Sequence, residues 1–138
     1  MMRLLKVLIH ALVFFYIACT EAAGLGDTAQ GVDFLQPKNG DMLESPFEVK
    51  FLVTGMEVSQ AGDLTANTGH HHLLINSKSI EAGKVVPADE RHIHFGNGQT
   101  ETTVNLPSGR YTLTLQFANG LHESYGEVMS KTIEVTVK

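Results

Sequence analysis

Three stretches of this chain alternate apolar and polar side chains. A period of two marks an extended strand with one buried face rather than a helix. Phe47, Val49, Phe51 and Val53 are interleaved with Glu48, Lys50 and Leu52; Tyr111, Leu113, Leu115 and Phe117 with Thr112, Thr114 and Gln116; Ile133, Val135 and Val137 with Thr132, Glu134 and Thr136. Residues 32–35, 71–76 and 100–106 read as further strands. Turn signals stand between them at Pro37-Lys38-Asn39-Gly40, Asn97-Gly98, Leu106-Pro107-Ser108-Gly109 and Asn119-Gly120. About seven short strands at this spacing predict an all-β chain folded as an antiparallel β-sandwich, with no capped helical segment competing. The chain has no Trp and a single Cys. Its core therefore rests on Phe47, Val49, Phe51, Leu113, Leu115, Phe117, Ile133 and Val135.

The first residues read as an address. Arg3 and Lys6 precede an apolar run over residues 7–18, and Thr20-Glu21-Ala22-Ala23 offers small residues for cleavage. The run is shorter than the roughly 20 apolar residues of a spanning helix. We therefore expect a signal peptide over residues 1–22, a glycine-rich flexible lead over 23–31, one domain over 32–138, and an exported, periplasmic product. Loss of Arg3, Lys6 and Glu21 moves the formal net charge from −5 to −6, which disfavours nucleic acid and anionic membranes as partners. Cys19 falls inside the signal, so the processed chain has no thiol to form a disulfide, bind a metal or attack a substrate. The alternative is a lipid anchor at Cys19, since Tyr16-Ile17-Ala18-Cys19 resembles a lipobox with Tyr16 in place of leucine.

Chemistry is concentrated in two histidine clusters, Gly69-His70-His71-His72-Leu73-Leu74-Ile75 and Glu90-Arg91-His92-Ile93-His94-Phe95-Gly96. On a strand His70 and His72 share one face, as do His92 and His94, so two neighbouring strands can aim four imidazoles at one point. Neutral imidazole is the commonest protein ligand for zinc and copper, and ligands carried on strands lose little entropy when they bind. His70, His72, His92 and His94 are thus the expected ligands, with His71 and His122 as further candidates. Leu73 and Ile75 share the face of His71, which marks a strand buried on both sides with its histidines at the mouth. Asp89, Glu90 and Glu101 are carboxylates placed to orient an imidazole from behind or, for the first two, to complete the coordination. Met129 is a possible soft copper ligand or a packing residue.

The same segments carry a resemblance. Gly69 to Ile75, then Val86-Pro87-Ala88-Asp89-Glu90-Arg91-His92-Ile93-His94-Phe95-Gly96-Asn97-Gly98-Gln99-Thr100-Glu101, then Leu106-Pro107-Ser108-Gly109 and Met129-Ser130-Lys131, resemble the bacterial family catalogued as domain of unknown function 4399. That family commonly holds a second histidine and prolines where this chain has Leu121-His122-Glu123-Ser124-Tyr125-Gly126, of which only His122 remains here. The resemblance implies no reaction. Gln36-Pro37-Lys38-Asn39-Gly40 followed by Ser45-Pro46-Phe47-Glu48-Val49 is also similar to the opening strands of exported immunoglobulin-like modules, a likeness of fold alone. No Gly-x-Ser-x-Gly elbow, His-Glu-x-x-His helix or phosphate-binding glycine loop occurs, and no plausible cleavage exposes an amino-terminal histidine. Three functions remain: a carrier or buffer of copper or zinc, a small histidine-ligated metalloenzyme with only class-level similarity to copper-zinc superoxide dismutases, and a structural or adhesion module whose histidines form a metal-free polar network. The carrier is the preferred reading.

Overall fold

A computed structural model of the protein describes residues 29–138. The expected signal peptide, Cys19 and most of the flexible lead lie outside these residues. The described residues form two sheets built from β1 (Gly31–Gln36), β2 (Met42–Leu43), β3 (Phe47–Thr54), β4 (Glu57–Val58), β5 (Thr68–Ile75), β6 (His92–His94), β7 (Glu101–Val104), β8 (Gly109–Ala118) and β9 (Ser130–Val137). A three-stranded sheet runs β1-β3-β7, and a larger one runs β2-β9-β8-β5-β4 with β6 also on β5. All pairings are antiparallel except the two short ones, β2 with β9 and β4 with β5. This is the expected immunoglobulin-like sandwich, in which seven strands have three or more residues. Among the described residues no helix is long and apolar enough to cross a membrane.

The alternation read from the sequence is the alternation of burial. Phe47, Val49 and Phe51 of β3 face Leu113, Leu115, Phe117, Ile133 and Val135 of the larger sheet, and all eight are buried in one cluster. Each such side chain contributes about 1.5–3 kcal/mol through removal of apolar surface from water. Met129, in a single 3-10 turn ahead of β9, is buried in the same core, so its sulfur is a packing group and not a metal ligand.

Strand β5 differs from the others because every residue from Thr68 to Ile75 is buried. Leu73 and Ile75 point into the sandwich core, and His71 is wedged there between Phe51 and Phe117, with ring centroids 5.1 and 4.9 Å away. On the other face, Leu74 packs with Val86, Ala118 and Ile80 in a second, smaller cluster. The loops over residues 77–91 and 119–126 thus cover the outer face of the larger sheet. His70 and His72 lie beneath them in mid-strand rather than at the mouth of the strand. Glycine is required where two other segments approach closely, Gly69 against β8 and Gly120 against the loop after β4. A Cβ at Gly69 would overlap the Ala118 carbonyl, and one at Gly120 would overlap the backbone of Asp63.

Candidate metal centre

The outer face of β5 supplies the first two imidazoles, because His70 and His72 alternate with the core-facing His71. Register brings the third. His94 of β6 is the direct cross-strand partner of His72, while Gln116 of β8 is its partner on the other side. The fourth, His122, arrives from the turn after β8. Its amide donates to the Asn119 carbonyl at 2.9 Å, and its carbonyl accepts from the Val86 amide at 2.9 Å. The Asn119 side-chain oxygen accepts from the amides of Leu121 and Glu123, at 2.9 and 3.0 Å, and so ties the turn. Within it His122 adopts φ +65°, a left-handed conformation that a non-glycine residue holds only where its surroundings impose it.

His70, His72, His94 and His122 each present a ring nitrogen, and these atoms all lie within 4.8 Å of one another. The His94 and His122 Nε2 atoms are 3.1 Å apart. Nitrogens about 2.0–2.1 Å from a tetrahedral zinc are separated by roughly 3.3 Å, so this spacing is close to one edge of such a site. His70 and His72 are buried, His122 is partly covered and His94 is exposed. The group therefore has a buried floor and an open rim.

Both nitrogens of His70 and the Nδ1 of His72 lack a hydrogen-bond partner. Burial, followed by the neighbouring His94 and His122, pushes His70 down to about 4. His72 falls to about 3, through burial and then His70, His94 and His122, against a raising contribution from the Gln116 backbone. His94 is lowered by burial and by His122. Three of the four rings are thus held toward the neutral form that ligation requires.

The remaining sequence candidates are placed elsewhere. His92 shares the outward face of β6 and lines the same cleft, but its ring is already engaged. Its Nδ1 donates to Asp89 Oδ1 at 2.7 Å, and Nε2 lies 3.3 Å from Ser77 Oγ. The expected convergence of His92 with the others is therefore corrected: His122 takes the fourth place because its turn folds back over β5. The His92 bond, with a second from the Arg91 amide, holds the Asp89 carboxyl below its ordinary range. His71 faces the opposite side of the sheet, and both its nitrogens are unpartnered in the core, where burial lowers it to about 4. Glu90 is exposed in a turn. Glu101 is on β7 of the opposite sheet, 3.8 Å from Lys50, so it orients none of these imidazoles.

Sequence reasoning missed Gln116. Its side-chain oxygen accepts from the Ile80 amide at 2.9 Å, and its nitrogen donates to the Gly126 and Met129 carbonyls at 3.1 and 3.3 Å. One buried amide thereby ties both covering loops to the sheet beside His72. The available signal was the lack of charge along Thr112, Thr114 and Gln116, unusual for a solvent-facing row.

No curated protein and no solved structure matches the chain. Residues 49–138 match the family described as Domain of unknown function (DUF4399), a span that takes in the whole candidate centre. The chain, with its two histidine blocks on adjacent strands of one sheet, belongs to that family.

Proposed function

We propose that this protein is an exported carrier or buffer that binds one copper(II) or zinc ion through His70, His72, His94 and His122. The observation that carries the reading is the convergence of four ring nitrogens within 4.8 Å, from two strands and a turn distant in sequence. An all-imidazole set suits copper(II) and zinc, and neither a thiolate nor a thioether is present among these four ligands to favour copper(I). The exposed ring of His94 offers an entry and exit path for the ion. The metal-free network is the weaker reading, because a polar network satisfies its members, whereas the buried nitrogens of His70 and His72 are left without partners. Each unmet group of this kind costs about 1–3 kcal/mol, and a bound ion would partner one nitrogen of each ring and so relieve part of that cost.

The test is metal analysis of protein purified without a histidine tag, followed by calorimetric titration of copper(II) and zinc. One ion per chain is expected, with binding lost in a His70→Ala/His122→Ala variant. Wild type that binds neither ion more tightly than this variant overturns the metal reading. Superoxide dismutation or ester hydrolysis by the loaded protein, abolished in the same variant, would replace the carrier by an enzyme.

A further inference from the structure

Four neutral imidazoles place an ion without cancelling its charge, and two of them are buried. A dication held there keeps its full charge over a desolvated floor, and such charge is costly unless an anion meets it. No carboxylate among the described residues joins the group. Of the carboxylates close in sequence to its members, Asp89 Oδ1 is bonded to the His92 ring and the Arg91 amide, Glu123 Oε2 accepts from the Asn119 side chain at 2.9 Å, and Glu90 is exposed in a turn outside the group. Among the described residues no carboxylate is placed to compensate the ion, which leaves that role to an external anion.

A route for it exists. A cleft of about 520 Å³ opens onto His72, His94 and His122, while the buried His70 lies behind them and does not line it. An ion among the four would be approached from solvent through the face formed by those three rings. Beyond them one side of the wall is apolar, made by Val85, Val86, Pro87 and Ala88, and the bonded pair of Asp89 and His92 completes it. The volume falls within the roughly 300–1,000 Å³ of small-molecule sites, far more than a water or halide needs.

We infer that the loaded centre takes a small carboxylate with a compact apolar body, its carboxylate on the ion through the His72, His94 and His122 face and its body against Val86, Pro87 and Ala88. This rests on the metal reading. The experiment loads the full domain with copper(II) and follows the visible and electron paramagnetic resonance spectra during titration with azide, acetate and benzoate. All three are expected to shift the spectra, benzoate at a concentration at least tenfold below acetate because only benzoate fills the apolar wall. Ala88→Trp, at an exposed position of that wall, should erase the advantage of benzoate while leaving copper stoichiometry and the azide shift as in wild type. Copper binding with spectra unmoved by any anion overturns this inference alone, and so does equal binding of acetate and benzoate in wild type. Failure to bind copper overturns the metal reading and this inference with it.

Discussion

His71 and Gly96 show how differently single residues serve the same strands. His71 is fully buried between two phenylalanines, with neither ring nitrogen partnered and no place in the four-histidine group. Its tilted and T-shaped contacts recover some aromatic packing, but the unmet polar atoms remain a cost. His71→Leu is therefore expected to raise stability at pH 7 by about 1 kcal/mol, measured by urea denaturation, without changing metal stoichiometry. A loss of bound metal in that variant would give His71 a role that its position does not explain. Gly96 acts through space: a Cβ there would overlap the His94 ring. Because that ring is the exposed member of the group, it can swing aside and spare the fold. Gly96→Ala should lower zinc affinity on the order of tenfold, the scale seen when a group that orients a ligand is disturbed. Calorimetry against an unchanged unfolding midpoint checks it.

At the scale of elements, the centre depends on how loops are fastened to the larger sheet. Strands β5 and β6 set three of the imidazoles by register alone, since His72 and His94 are paired partners and His70 is two residues along. His122 has no such guarantee, and its turn is held by Asn119 and by the covering loops that Gln116 and Ser124 tie together. Ser124 Oγ donates to the Ile80 carbonyl at 2.8 Å and accepts from the Gly126 amide at 2.9 Å. Replacing Gln116 by Leu keeps the bulk but leaves the Ile80 amide and the Gly126 carbonyl buried without its bonds. About 2–6 kcal/mol of stability should be lost, at about 1–3 kcal/mol for each abandoned group, together with a weakened metal site. Hydrogen exchange faster than wild type at residues 77–91 and 119–126, with β3 and β9 unaffected, is the expected pattern. Uniformly faster exchange would show that Gln116 supports the sandwich as a whole.

For the whole molecule, the buried histidines couple folding to pH. His70, His71 and His72 are lowered to about 4, 4 and 3 in the fold, against 6.5 in an unfolded chain. Between those values the unfolded chain binds more protons than the native one, so stability is greatest above pH 6.5 and is lost as pH falls toward 4. Urea denaturation of the metal-free protein should show that decline, and a bound ion should oppose it by stabilising only the folded state. A metal-free midpoint that stays flat from pH 7 to 4.5 would mean that these three rings are not desolvated as the fold implies.

The sandwich was legible in the residues because a period of two, broken by Gly, Pro and Asn turns, has few other ways to bury one face. The core of Phe47, Val49, Phe51, Leu113, Leu115, Phe117, Ile133 and Val135 follows from that alternation alone. The pairing of His70 with His72 and the opposite orientation of His71 follow from it as well, since strand geometry is local. The identity of the fourth imidazole was not legible. His92 and His94 have equal claims by spacing, yet His92 is taken by Asp89 and Ser77, while His122 crosses 28 residues of chain to reach His94. Nor could spacing foretell that Gln116, read as a solvent-facing strand residue, is buried and binds two loops, or that Glu101 stands on the opposite sheet. Which face of each strand is apolar is decided between neighbours along the chain. Which side chains meet across the covered face is decided by register and by loops that fold back over it, and those exist only once the two sheets have assembled.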